Sequence, residues 1–242
     1  MNLLQILVSL TFLTIASVYD LKTMEVPNKI WAFFIPISLI TTTVDMLNNP
    51  NHFPLKLASI AITTIIALTI FYFGLYGGAD AKALITLSVA HPITSSPTLI
   101  FPLLPLTTFN NSLLLMVLML PVAFIRNLYW KFQNRQTLFQ GLEREPFWRK
   151  IAALFLCVKT SKSKIKPYHM LAEKFNHVDG ELRRTLKIFQ RVEEENASMP
   201  DASLPESVFI VYSLPMLPFL TLAYILSITV GDLILHLITS LL

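Results

Sequence analysis

The sequence predicts an all-α polytopic membrane protein of about six transmembrane helices, with a helical cytoplasmic insert before the last span. Three observations carry this prediction. Of 242 residues, 54% are hydrophobic and only 14% charged, with a mean hydropathy of +0.60; about 25% charged is usual for a soluble domain. The apolar residues gather into runs, several approaching the roughly 20 residues a helix needs to cross about 30 Å of hydrocarbon. The charge is partitioned as well: 15 of the 19 Lys and Arg and 10 of the 15 Asp and Glu lie between positions 126 and 206.

The first run, 3–19, has no positive leader before it and no clear small-x-small cleavage pattern after it, so it reads as a retained span that ends at Asp20. A second run, 30–47, follows Pro27 and Asn28, and proline suits a first helical turn. The third, 57–76, closes on Gly77-Gly78-Ala79-Asp80. Within the fourth, 83–108, His91, Pro92, Pro97, Pro102 and Pro105 predict a helix followed by a kinked or re-entrant piece packed against protein. The fifth is 112–125.

The polar insert comes next. Its apolar set Leu171, Phe175, Val178, Leu182, Leu186 and Phe189 recurs every three or four residues, the period of an amphipathic helix, with Gly180 as a weak point. That helix is expected to fade near Glu193 to Glu195, before a linker-like stretch at 196–206. The last run, 208–242, holds Pro215, Pro218 and Gly231-Asp232, and reads either as one long broken helix or as a tight hairpin. The expected domains are 1–125 in the membrane carrying the two acids considered below, 126–207 as a cytoplasmic soluble domain, and 208–242 as a C-terminal membrane segment.

Orientation follows from Lys and Arg, because short basic loops stay cytoplasmic. Lys22, Lys29, Lys82 and the basic insert belong inside, whereas DMLNNPNHFP at 45–54 and TTFNN at 107–111 belong outside, as do both termini. Lys56 is the exception, expected to snorkel from its helix end.

Several chemistries are disfavoured. A single cysteine, Cys157, read as a buried or idle thiol, excludes an intrachain disulfide, a CxxC redox pair and a Cys-rich zinc site. His52, His91, His169, His177 and His236 lack metal-ligand spacing and no HExxH occurs, so neither a metal nor a cofactor is expected. There is no phosphate-binding loop or GxGxxG, and ITSSPT has no positioned base for serine chemistry. Acids interspersed among the basic residues of the insert argue against nucleic acid as a partner; membrane lipid is the expected surroundings.

What demands explanation is acid beside hydrocarbon, because a carboxylate there costs several kcal/mol unless it is used or neutralised. Asp20 ends the first span and Asp80 follows the third, with Gly77 and Gly78 allowing a sharp turn and close helix approach. Between them the chain crosses outward and back, so both carboxylates return to one face at similar depth. Two readings remain open on spacing: two independent helix-end aspartates, each acting as a cap, or a coupled pair sharing a proton for acid–base work. A membrane transporter using the same acids as ion or proton ligands, or a non-enzymatic scaffold, is the rival from another class.

Asp20 followed by Val26-Pro27-Asn28, together with GGADAK at 77–82, resembles the type IV prepilin peptidase family, in particular its archaeal preflagellin and prepilin peptidase branch of GxGD membrane aspartyl proteases. Ala79 stands where the name of that class requires glycine. The resemblance implies six spans, Asp20 and Asp80 as catalytic residues at the cytoplasmic membrane face, and cleavage of basic leaders from pilin-like or archaellin precursors. Pro27, Asn28, Gly77, Gly78 and Lys82 are then candidates for shaping the site or binding substrate, with Lys82 either lowering the pKa of Asp80 or anchoring at the headgroups. Glu25 reads as a solvated third acid, and Asp232 as a cap at a break or helix end. The paired CxxC motifs of the larger, methylating bacterial enzymes are absent.

Overall fold

The computed structural model describes residues 3–94, 102–165, 169–178, 181–187, 205–211 and 215–241. In chain order the elements are α1 (Leu3–Thr23), α2 (Asn28–Asn48), α3 (Phe53–Tyr72), α4 (Gly78–Ala90), α5 (Leu104–Val117), α6 (Met119–Asn134), α7 (Phe147–Leu156), β1 (Cys157–Ser161), β2 (Met170–Leu171), β3 (Glu173–Val178), β4 (Glu181–Leu186), β5 (Ser207–Val211), α8 (Met216–Thr229) and α9 (Leu233–Leu241). They form two compact units, Met1–Met116 with Pro215–Leu242, and Val117–Leu214.

In the first unit short connections reverse the chain from α1 through α4. Met24, in the left-handed region at φ 57°, closes α1 by donating its N–H to the Asp20 carbonyl at 3.0 Å. Pro27, at φ −58° and ψ 136°, then sets the extended approach to α2. Helix α4 is the hub, packing against α1, α2, α3 and α8. Its small and branched residues Ala83, Leu84, Leu87 and Ala90 are wholly or almost wholly buried, which lets its neighbours close in on several sides.

Several polar residues in this unit find partners on other helices. At the end where α2 turns into α3, Lys56 is 3% exposed and donates to Asp45 Oδ2 at 2.5 Å, while Gln5 donates to Thr42 Oγ1 at 3.3 Å. Lys56 therefore does not snorkel as expected. A carboxylate on the adjoining turn satisfies its ammonium inside the protein, so the side chain has no need to reach water. The stretch TTFNN is likewise not a loop. It lies within α5, where Thr107, Thr108 and Asn111 are buried, and Asn111 makes contacts between helices. Asn111 donates to the Gly231 carbonyl at 2.9 Å and accepts from the Leu233 N–H at 3.0 Å, stitching the break between α8 and α9.

By length and apolar composition, four helical stretches among the described residues can cross a membrane: Leu3–Thr23, Asn28–Asn48, Pro50–Tyr72 and Leu104–Asn134. The bent pair α8–α9, turned by 62° at Val230 to Asp232, makes a fifth if taken as one span. Of the two readings of the last run, this is the broken helix, with Asp232 Oδ1 accepting from the Ile234 N–H at 2.9 Å. The fourth apolar run accounts for the difference from about six: it divides after Ala90, and the 13 residues of α4 rise only about 20 Å.

The second unit corrects the expectation of a helical insert. Its first part is helical, α6 and α7, but the rest is β-structure: an antiparallel sheet in the order β1-β5-β2 and the hairpin β3-β4, in which Phe175 pairs with Arg184 and Glu173 with Leu186. The residues expected to form an amphipathic helix, Leu171 to Leu186, build that hairpin and the strand before it; Gly180, Phe189 and the linker at 196–204 lie outside the described residues. Burial alternates along β3, with Glu173 and Phe175 inside and Lys174 outside, but one inward position is a carboxylate and so breaks the apolar signature of a strand. Glu173 accepts from Phe209 N–H at 2.6 Å and from Arg184 Nε at 2.8 Å, and Lys159 Nζ lies 3.7 Å away, 4.5 Å from the Phe209 ring centroid. Asn127 ties α6 to this layer by donating to the carbonyls of Leu154 and Cys157 at 2.9 and 2.7 Å and accepting from Lys159 N–H at 2.8 Å. Cys157 is a free, fully buried thiol, pushed up to about 12 first by burial and then by the Glu173 charge.

Glu173→Gln leaves the buried Lys159 and the largely buried Arg184 without their counter-charge, so the second unit should lose about 3–5 kcal/mol of stability, read from the thermal unfolding of the full chain in bilayer discs. Burial above all, with Arg184 adding to it against the pull of Glu173, lowers the Lys159 ammonium to about 8 from an ordinary value of 10.5. Between those values the unfolded chain holds a proton that the folded one has released, so this residue's contribution makes stability rise with pH across that window. Comparing unfolding against pH for the parent and Lys159→Met should show that rise shrinking in the variant.

Candidate active site

The last turn of α1 and the first turn of α4 come to the same end of the first unit, because two crossings, α2 and α3, separate them. Asp20 is 7% exposed, and its Oδ2 accepts the backbone N–H of Leu217, in the first turn of α8, at 3.1 Å. The first N–H groups of a helix have no partner within it, so α8 offers a donor to a carboxylate that its own helix cannot satisfy. Ser17 and Thr221, one turn further along each helix, hydrogen-bond at 2.7 Å and hold the two in register.

Asp80 is half-buried, and its Oδ2 accepts the N–H of Gly77 at 3.2 Å, which also caps the start of α4. It lies close enough to Asp20 for the two carboxylates to act on each other by charge. The structure thus brings the sequence-predicted acids into one electrostatic neighbourhood, although 60 positions separate them in the chain.

The remaining candidates divide. Lys82 and Asn28, both exposed, are joined by a 2.7 Å hydrogen bond from Nζ to Oδ1, which fastens the start of α2 to the first turn of α4. Pro27 is exposed and acts through the backbone, as does the turn at Gly77 and Gly78, both half-buried. Neither glycine has positive φ. A methyl group on Gly77 would come 3.3 Å from Asp80 Oδ2, whereas one on Gly78 would make an ordinary 3.6 Å contact with Phe71. Room for the carboxylate therefore matters at position 77. Glu25 is exposed.

Two contributors escaped sequence reasoning. Leu217 enters by its backbone, and its only signal was Pro215 opening a helix far along the chain from Asp20. Tyr76 lies within reach of the Asp80 charge, which together with burial, the larger cause, pushes its phenol up to about 12; its ring packs edge-on against Phe109 at 5.8 Å. Among the described residues, no three His, Cys, Asp or Glu side chains gather so as to hold a metal ion.

Chemically, the arrangement presents two carboxylates at helix ends, each with a backbone donor, and a phenol within reach of Asp80. Residues 7–122 match the type IV leader peptidase family. The preflagellin peptidase of Methanococcus voltae is 32% identical over 133 residues, an alignment covering 50% of this chain and 57% of that protein. The chain thus spans just over half the length of that relative.

Asp20→Asn keeps an oxygen to accept the Leu217 N–H, so it should retain the parental unfolding temperature within a few degrees. Asp20→Leu strands a buried donor and should lose about 1–3 kcal/mol. Thermal unfolding of both variants in one lipid composition decides this.

Proposed function

We propose that this chain, whose residues 7–122 match the type IV leader peptidase family, is a membrane aspartic endopeptidase that removes basic leaders from precursor pilins or archaellins at the cytoplasmic face of the cell membrane. The observation that carries the reading is that Asp20, in the last turn of α1, and Asp80, in the first turn of α4, come to one end of the first unit, each held by a backbone N–H. Two carboxylates in such a site bind protons as a pair, and one shared proton gives them complementary roles.

In the proposed reaction the ionised member takes a proton from water while the protonated member donates to the carbonyl oxygen of the scissile peptide. The water oxygen bonds to the carbonyl carbon; the C–N bond then breaks as the departing nitrogen takes a proton from the pair and a hydroxyl of the tetrahedral intermediate returns one to it, leaving a carboxylic acid and the pair with its single shared proton. The Leu217 and Gly77 N–H groups hold the two carboxylates in place, and the Lys82–Asn28 bond ties together the elements that flank them. The substrate class fits the site's position. A leader with a basic cytoplasmic segment and an apolar helix presents its junction where the membrane meets water, and both acids sit at helix ends rather than at mid-span. That placement favours hydrolysis over the rival ion or proton transport, which calls for acids along a path through the membrane.

Asp20→Asn and Asp80→Asn, each in full-length protein in bilayers, should cleave a precursor archaellin or pilin at least about 10²-fold more slowly than the parent, read by the mobility shift of the product. The Asp20→Asn protein must keep its fold, as argued above, for the comparison to count. Substantial cleavage by either variant rejects the shared roles.

A further inference from the structure

Helix α7 is amphipathic in the wrong sense for a soluble domain. Ala153, on its inner side, is fully buried, whereas Phe147, Trp148, Ile151 and Phe155 are 78%, 59%, 40% and 37% exposed. At 100° per residue these four occupy a single face about 100° wide, opposite Ala153. Arg149 and Lys150 flank it; Arg149 sits 5.2 Å over the Trp148 ring and donates to Glu145, and Lys150 donates to the Glu143 carbonyl. Large aromatic side chains kept in water at this density mark a surface that another apolar phase covers.

The covering phase is indicated by what the face joins. The Phe155 ring stacks on Phe124 of α6 at 5.1 Å and 11°. Beside Phe124, helix α6 carries an outward stripe of Val122, Ile125, Tyr129 and Phe132, all exposed and on the side opposite the buried Ala123 and Asn127. That stripe belongs to Leu104–Asn134, a stretch long and apolar enough to cross a membrane. The exposed face of α7 is thus continuous with the outward apolar stripe of α6, and its mixture of aromatic and basic residues is that of helices lying in the bilayer interface.

We propose that α7 is an interfacial membrane helix, with Phe147, Trp148, Ile151 and Phe155 immersed at the boundary of headgroups and acyl chains and its basic residues directed to lipid phosphates. The second unit is then held at the bilayer by its own surface as well as by the chain that leads into it.

The test uses the full chain in bilayer discs of phosphatidylcholine with phosphatidylglycerol. Ile151→Cys carries a nitroxide, and Gln140→Cys, at an exposed turn, provides the aqueous reference; buried Cys157 remains unlabelled. Label 151 should collide with oxygen, which concentrates in lipid, several-fold more than with a water-soluble nickel chelate, and label 140 should show the reverse. Nickel access at 151 equal to that at 140 overturns the proposal, and so does exclusion of both reagents, which would indicate a protein partner or second copy. A Trp31→Phe, Trp130→Phe protein, with Trp148 as sole indole, checks the same point without labelling: brominated lipid should quench its fluorescence, and the absence of quenching likewise overturns the proposal.

Discussion

A carboxylate at the end of an apolar helix must be met by a donor that its own helix cannot supply, and the first unit is arranged around that requirement. Asp20 is met by the backbone of Leu217, so the start of α8 is drawn onto the last turn of α1 although 197 positions intervene. The same need recurs at the other end of these helices, where Asp45, Lys56, Gln5 and Thr42 satisfy one another. Asn111 closes the break between α8 and α9 by the same logic. Apolar packing around α4 supplies most of the buried surface, but it is non-directional. The polar contacts select which helix ends meet, because each unmet group in such surroundings costs several kcal/mol.

The second unit faces a related problem with different means. Glu173 lies inside a β-layer and gathers Arg184, Lys159 and the Phe209 N–H around it, while Asn127 serves three backbone groups at the junction of α6, α7 and β1. Replacing such a cluster with hydrocarbon often costs nothing in stability, but breaking it partway costs a good deal. Its contacts join β3 to β4 and β5. The apolar residues this unit does not need for its own core, those facing outward on α6 and α7, are left for lipid.

For the proposed hydrolysis, the value of the arrangement is that positioning comes from rigid helix ends. Asp80 is held by the turn that starts α4, and Asp20 by the turn that starts α8, so neither carboxylate depends on a loop for its place. Sites built on such elements keep their geometry more closely than sites on loops. The link from Lys82 to Asn28 is polar and exposed.

Composition and the spacing of apolar runs were enough to establish a helical membrane protein, and the positions of Asp20 and Asp80 at run boundaries were enough to bring them to one end, since two antiparallel crossings return the chain to where it started. Those features are local: hydrophobic length and the parity of reversals do not depend on what packs against what. Other features lay beyond a one-dimensional reading. TTFNN looks like a loop because its residues are polar, and only contact with α8 and α9 gives the amide of Asn111 its partners inside the protein. Leu171 to Leu186 shows a helical interval of apolar residues because Glu173 occupies an inward strand position, and only the cations that converge on it allow a carboxylate there. Lys56 is internal because Asp45 faces it, and Leu217 reaches Asp20 through a backbone group that carries no side-chain identity at all. In each case the deciding quantity is the desolvation of a polar group, and whether it is met depends on a partner that tertiary packing alone brings within hydrogen-bonding distance.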